Sequence, residues 1–222
     1  MALLRQPRRS AGTYARTFAL CAAIGVGAMH GPAVAATASG AFAVRGIGAQ
    51  SCKNITAVAA GKKADELVQL SSAWVAGYLS QYNRATSNTY EAIPIVDNVV
   101  LGKLAINICR SNPDTLFEGI AASLVTSFSR GALSEESPIV EIKSDKSKAL
   151  LRRSVFRLVQ QELIKGSFLP AGSADGDYGP ATRAALSKFQ EARGITVTGV
   201  PDPQTLVHLF AMGEKAKGAA KN

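Results

Sequence analysis

Hydrophobic residues recur at helical spacing through the first half of the chain, and three segments there predict helices: residues 64–83, 96–110 and 111–131. Their apolar positions are Leu67, Leu70, Trp74, Val75, Tyr78, Leu79 and Tyr82 in the first segment, Val100, Leu101, Leu104 and Ile108 in the second, and Leu116, Phe117, Ile120, Leu124 and Phe128 in the third. Asn112 and Pro113 are predicted as the N-cap and first residue of the third helix, which Gly131 can end. At this spacing Trp74, Tyr78 and Tyr82 indicate a core rather than a binding groove.

The last third of the chain shows a second helical pattern, in three parts. Phe156, Val159 and Leu163 share one face of a first helix, which Gly166 can end. The second helix begins at Pro180, carries Ala185, Leu186, Phe189 and Ala192 on one face, and ends at Gly194. The third is capped by Asp202, opens with Pro203 and turns Leu206, Leu209 and Phe210 inward.

A turn of sequence DGDYG, residues 175–179, precedes the second of these helices. Gly176 and Gly179 are predicted to adopt backbone angles that other residues resist, and Asp175 and Asp177 can hydrogen-bond to neighbouring amides. The Asp-x-Asp-x-Gly spacing resembles part of a calcium loop, but the closing glutamate is missing. The turn is therefore interpreted as architecture, and no metal site is predicted.

Polar residues dominate the segment between the two patterns and the end of the chain. Residues 131–150 are predicted as a linker, with an apolar island at Pro138-Ile139-Val140 that can form a transient strand, and residues 213–222 as a flexible tail. The predicted fold class is all-α, with a helical module at 36–130 and a three-helix module at 151–212.

The N-terminal residues 1–35 have the three parts of a secretory signal peptide. A basic stretch without acids contains Arg5, Arg8, Arg9 and Arg16; an apolar run follows at 17–29, and Ala33-Val34-Ala35 fits a cleavage site. The run is too short for a comfortable membrane span, so no stable span is expected after cleavage. The alternative is a buried N-terminal helix.

Export changes the charge of the chain. The formal net charge of +9 falls to +5 once the four signal-peptide arginines are removed. That charge is divided between the two halves rather than concentrated in one stripe, so nucleic acid is not a predicted partner.

Cysteine and histidine counts agree with a non-catalytic exported protein. Cys21 leaves with the signal peptide, and Cys52 and Cys109 predict a disulfide that pins the leading segment of the first module against its second helix. Only His208 remains for zinc chemistry, both cysteines are expected to be paired, and no motif surrounds Glu91 or Glu118. No enzyme activity and no cofactor are predicted, although a hydrolase with an unrecognised site stays open.

Residues 156–210 resemble the PGBD-1 family of peptidoglycan-binding domains. The matching residues are Phe156, Val159, Gln160 and Leu163, the run 175–180, Thr182, Ala185, Phe189-Gln190, Gly194-Ile195, Thr198-Gly199, and Thr205-Leu206 with Leu209, while residues 169–174 form a longer insert. The resemblance implies that the domain binds a glycan–peptide polymer beside the turn. Asp175, Asp177, Tyr178 and Arg183 are the candidate binding residues, as acceptors, a stacking ring and a cation. Turn geometry and core packing already explain Gly176, Gly179, Thr182, Phe189 and Gln190.

Residues 45–128 resemble HdeA-like acid-stress chaperones and Rap1a/Tai-type immunity proteins. The resemblance rests on Cys52, the helix at 74–83 and the run at 109–113. It implies a disulfide-pinned periplasmic module that can bind another envelope protein. The function predicted for the whole chain is that of an exported, cell-wall-associated protein, periplasmic or secreted, that binds peptidoglycan without catalysis. The alternative is an accessory, chaperone-like or immunity-type protein whose N-terminal module binds a protein partner.

Overall fold

The computed structural model describes residues 37, 41–145 and 147–211. The predicted signal peptide at 1–35 and the predicted tail at 213–222 lie outside the described residues. From Phe42 onward the described residues belong to one compact unit. Among the described residues, no helix has the length and apolar character needed to cross a membrane.

Four helices form the first part of this unit: α1 (Cys52–Ala59), α2 (Ala64–Ala85), α3 (Asn98–Cys109) and α4 (Phe117–Phe128). Short 3-10 turns stand before α1, at Gly46–Ala49, and after α4, at Ser129–Gly131. Helix α2 packs closely on α3 because Gly102 leaves no side chain between them; a Cβ there would lie 2.4 Å from the Ser72 hydroxyl oxygen. Leu67 and Val75 are buried as predicted, whereas Leu70 is 61% exposed and does not join the core.

The start of α4 differs from the prediction, because Asn112 is not its N-cap. The amide of Asn112 instead donates to the carbonyl of Ile108 at the end of α3 (2.9 Å). The carbonyls of Pro113 and Thr115 accept from the backbone N–H groups of Lys53 and Cys52, each at 2.8 Å. The turn at Asn112-Pro113 therefore supplies hydrogen-bond partners to the end of α3 and the start of α1, and α4 begins only at Phe117.

A disulfide between Cys52 and Cys109 joins the start of α1 to the end of α3, as predicted. Both cysteines are fully buried, and their Cα atoms lie 4.8 Å apart. With a sequence separation of 57 between the cysteines, the chain-entropy estimate of the disulfide's stabilising effect is about 4 kcal/mol.

The prediction of an all-α fold is wrong in one respect: the molecule is mainly helical but has a small antiparallel sheet. Its strands are β1 (Ile139–Lys143) and β2 (Lys148–Arg152), in the segment predicted to be mostly linker. Val140 pairs with Leu151 and Ile142 with Ala149, so apolar residues alternate on the inward face. Ile139 and Leu150 are apolar residues at the intervening, exposed positions, and they interrupt the apolar–polar alternation in the sequence.

The C-terminal part contains α5 (Arg153–Lys165), α6 (Pro180–Ala192) and α7 (Pro203–Leu206), and α7 continues as a π-helical turn, Val207–Ala211. The predicted starts of two helices are confirmed. Pro180 is the first residue of α6, and the Asp202 carboxylate caps α7 by accepting from the Thr205 N–H (2.8 Å). The buried residues of this part include Phe156, Val159, Leu163, Leu186, Phe189, Leu206 and Phe210.

Two arginines fasten the early helices to the later elements. The guanidinium of Arg130, after α4, donates to the carbonyls of Leu209 and Phe210 (2.8 and 3.1 Å) at the end of the last helical turn. Arg152, at the end of β2, forms an ion pair with Glu91 and donates to the carbonyl of Ser137. The C-terminal helices therefore depend on contacts from outside their own segment.

Candidate functional site

A buried glutamine organises the turn before α6. The amide nitrogen of Gln160, on α5, faces the Asp175 carboxylate (2.7 Å), the Asp177 carbonyl (3.1 Å) and the Thr182 hydroxyl (3.3 Å). Its amide oxygen accepts from the backbone N–H of Gly176 (2.7 Å). The sequence analysis named Gln160 only as a residue that matches the family and did not predict that it holds the turn. The signal for this role was the position of a polar residue on an otherwise apolar helix face.

The two glycines of the turn differ, and the prediction holds for one of them. Gly176 has φ +84°, a left-handed conformation that favours glycine. Gly179 has φ −117° and ψ 179°, which is extended backbone that any residue adopts, so the prediction for Gly179 is wrong. An extended conformation is expected at Gly179 because it precedes Pro180. A Cβ at Gly179 would meet no atom within 4 Å.

Asp175 shapes the turn itself. Its carboxylate accepts from the backbone N–H of Asp177 (2.8 Å) in addition to the amide of Gln160. The hydrogen bond from Asp177, followed by the one from Gln160, lowers the pKa of Asp175 below its usual value. Asp177 is 79% exposed and lies 3.6 Å from the Arg153 guanidinium.

Tyr178 connects the turn to the segment before α7. Its hydroxyl donates to the carbonyl of Gly199 (2.7 Å), and its ring meets the ring of Phe156 edge to face, with 6.1 Å between the centroids. Burial raises the pKa of Tyr178, and the carboxylate of Asp145 adds to that effect while Arg183 opposes it. The ring is half-buried, so only part of it faces solvent.

Arg183, on the first turns of α6, is held by a residue far away in the sequence. Its guanidinium lies 2.6 Å from the carboxylate of Asp145, which belongs to the turn between β1 and β2. That hydrogen bond raises the pKa of Arg183 above its already high usual value. The pairing was not predicted, because the strands that place Asp145 there were not recognised.

Tyr178 and Arg183 line one open groove with a volume of about 410 Å³. The remaining lining residues are Gly179, Pro180, Ala184 and Ser187. Of the four predicted binding residues, Tyr178 and Arg183 thus come together, whereas Asp175 and Asp177 are not among the groove's lining residues. Within the described part of the chain, no three His, Cys, Asp or Glu residues are grouped so as to hold a metal ion.

Residues 152–209 match the family described as "Putative peptidoglycan binding domain". The match runs from the end of β2 through α7 and confirms the resemblance found over residues 156–210. Searches of curated proteins and of solved structures found no match to the chain. The resemblance of residues 45–128 to HdeA-like and Rap1a/Tai-type proteins stays a prediction.

A domain of this class suggests peptidoglycan as the ligand. Together with the Cys52–Cys109 disulfide, it also suggests an extracytoplasmic, cell-wall-associated location.

Proposed function

We propose that the protein is exported, does not catalyse a reaction, and binds peptidoglycan through the groove lined by Tyr178 and Arg183. The match of residues 152–209 to a peptidoglycan-binding family carries this proposal. The groove supports it, since an aromatic ring can pack against a sugar ring and a guanidinium can hold a peptide carboxylate.

The N-terminal sequence and the disulfide support export. Residues 1–35 combine a basic start, an apolar run and a small-residue cleavage site. Cleavage after Ala35 would leave a mature chain that begins at Ala36. The disulfide is of a kind that persists in an oxidising compartment.

The surroundings of the two candidate catalytic acids support a non-catalytic role. Glu91 is engaged in the ion pair with Arg152. Burial raises the pKa of the Tyr78 hydroxyl, and the neighbouring carboxylate of Glu118 adds to that effect. In both positions the carboxylate interacts with a neighbouring side chain.

The decisive experiment is co-sedimentation of the mature chain with purified, insoluble peptidoglycan sacculi. The whole mature chain is used because Arg130 contacts the last helical turn and β1 pairs with β2, which leads directly into α5. Gly179→Leu adds a side chain at a groove position where the backbone is extended and a Cβ would meet no atom within 4 Å, and Tyr178→Ala removes the ring. Each variant is expected to weaken binding about tenfold, the equivalent of roughly 1.4 kcal/mol.

The matched control is Gly77→Leu, which adds the same side chain at an exposed glycine of α2 that also has open space around it. This variant should sediment like the unmodified protein. Unchanged sedimentation of Gly179→Leu, or release of soluble fragments from the sacculi, would contradict the proposal.

A second candidate function is that the N-terminal helices bind another envelope protein. An open apolar groove of about 410 Å³ lies between α1 and α2, with Val58 and Leu70 exposed at its surface. Exposed apolar grooves of this kind are used to bind proteins. If this function holds, in-cell cross-linking through the groove should yield one defined adduct that Leu70→Ser abolishes while sedimentation with sacculi is unchanged.

A further inference from the structure

The hairpin of β1 and β2 supplies a partner to Arg183, which lines the groove, although most of the hairpin lies outside the segment that matches the peptidoglycan-binding family. The match begins at residue 152, and the turn between the strands brings Asp145 to within 2.6 Å of the Arg183 guanidinium. Beside it, the Ser144 hydroxyl donates to the carbonyl of Thr198 (2.8 Å). The turn of the hairpin is therefore attached to the C-terminal domain at two neighbouring points, the hydrogen bond from Ser144 to Thr198 and the ion pair of Asp145 with Arg183.

Another arginine–carboxylate pair of the molecule, Arg152 with Glu91, differs in character from the pair of Arg183 and Asp145. Arg152 and Glu91 have side chains only 17% and 21% exposed, and Arg152 also contacts the Ser137 carbonyl and the ring of Tyr90. Arg183 and Asp145 are 43% and 80% exposed. A solvent-exposed ion pair contributes about 0–1 kcal/mol, so another carboxylate can replace Asp145 on Arg183 at little cost.

Guanidinium and carboxylate groups match in geometry, so Arg183 is suited to hold a carboxylate of the ligand. The peptides of the wall polymer carry carboxylates, whereas oligomers of N-acetylglucosamine carry none. We propose that Arg183 is the carboxylate subsite of the groove, that Asp145 occupies it in the free protein, and that a peptide carboxylate of the ligand displaces Asp145. This inference rests on the proposed function of the groove.

The inference predicts that loss of the Asp145 charge strengthens binding. The test is calorimetry of the mature chain with soluble disaccharide–peptide fragments of peptidoglycan. Asp145→Asn should bind about twofold to fivefold more tightly than the unmodified protein, because the ligand no longer competes with an internal carboxylate. The same fragments with their carboxylates amidated, and neutral N-acetylglucosamine oligomers, should show no such gain.

Two variants isolate the effect at Arg183. Glu141→Gln removes one negative charge from the same hairpin, where Glu141 pairs with Lys143 and Lys148 rather than with Arg183, and should leave the affinity unchanged. Arg183→Gln should weaken binding, and adding Asp145→Asn to it should give no further change. Near-UV circular dichroism verifies that each variant is folded.

The outcomes separate this inference from the proposed function. If the unmodified chain binds the fragments and folded Asp145→Asn binds equally or more weakly, the inference is overturned and the proposed function stands. An equal gain from Glu141→Gln would reveal a general effect of charge and would also overturn it. If the unmodified chain binds neither sacculi nor fragments, both the inference about Arg183 and the proposed function are wrong.

Discussion

Two buried glutamines, Gln160 on α5 and Gln190 on α6, each organise the turn that leads into the next helix. The amide nitrogen of Gln190 faces the Thr198 hydroxyl, the Val200 carbonyl and the Thr205 hydroxyl at 2.8–2.9 Å, as that of Gln160 faces Asp175, Asp177 and Thr182. In both turns the amide oxygen accepts from the N–H of a glycine with positive φ. Each following helix opens with proline and has the contacted threonine as its third residue.

The turns differ in length and in chemistry. Gln160 and Thr182 are 22 residues apart, and Gln190 and Thr205 are 15 apart. The first turn uses an exposed carboxylate, Asp175, where the second uses the hydroxyl of Thr198. One buried amide can therefore fix two unlike loops, because what it requires is a glycine N–H, a few oxygens and a threonine at a helix start. The longer loop is the one that borders the groove.

The largest expected effect comes from removing the two amides. Gln190→Leu should lower the free energy of unfolding by about 3 kcal/mol and Gln160→Leu by about 2 kcal/mol, because buried partners lose their hydrogen bonds. The loss of stability should be larger at Gln190, because its amide oxygen accepts hydrogen bonds from two backbone N–H groups, those of Thr198 and Gly199. The amide oxygen of Gln160 accepts only from the N–H of Gly176. Urea unfolding followed by circular dichroism measures both.

Gln161→Leu is the matched control, because Gln161 is exposed on the same helix as Gln160. It should change stability by no more than about 0.5 kcal/mol. Equal losses at Gln160 and Gln161 would show that the first turn does not depend on its buried amide.

Intermediate effects are expected at the glycines. Gly199→Ala should cost about 2 kcal/mol, because it adds a strained φ of +69° to close contacts at 3.3 Å with the side chains of Arg183 and Ser187. Gly176→Ala should cost about 1 kcal/mol, since its φ is also positive but its nearest atoms lie 3.7 Å away. Thermal unfolding of the mature chain ranks the two.

Gly179→Ala completes this series as the internal control. The backbone there is extended and the space is open, so the variant should stay within about 0.5 kcal/mol of the unmodified protein. A loss at Gly179 as large as that at Gly199 would contradict the assignment of strain to positive φ.

Sequence patterns predicted most of the helices, because long apolar stripes and local caps are properties of neighbouring residues. Pro180 and Asp202 act within one helical turn of their own positions, and both were placed correctly. Asn112 misled the prediction because its side chain can bond to a preceding carbonyl as readily as it can cap a following helix. The hairpin was missed because each strand has only five residues and because the exposed residues Ile139 and Leu150 are apolar, which interrupts the alternation.

The candidate site was predictable only in part, for the same reason. Tyr178 and Arg183 stand five residues apart at the start of a helix, so their proximity follows from local structure. Asp145 reaches Arg183 across 38 residues of sequence, and that contact depends on strand pairing, which no local pattern revealed. Asp175 was chosen as a ligand-binding acceptor, yet its carboxylate also satisfies groups of its own turn.

The smallest expected effect distinguishes the two turns by pH. Because its hydrogen bonds lower the pKa of Asp175 in the folded state, the ionised carboxylate stabilises the first turn above its unfolded pKa, near pH 4. That stability should be lost as the pH falls from about 4 through the lowered pKa of the folded protein. In urea titrations at several pH values, Asp175→Asn should therefore be less stable than the unmodified protein at neutral pH, and the difference should shrink in acid. Asp177→Asn, which removes the same charge from an exposed position of the same turn, serves as the control for a general loss of charge. A difference between Asp175→Asn and the unmodified protein that is constant with pH would mean that the carboxylate acts as a neutral acceptor, as the hydroxyl of Thr198 does in the second turn.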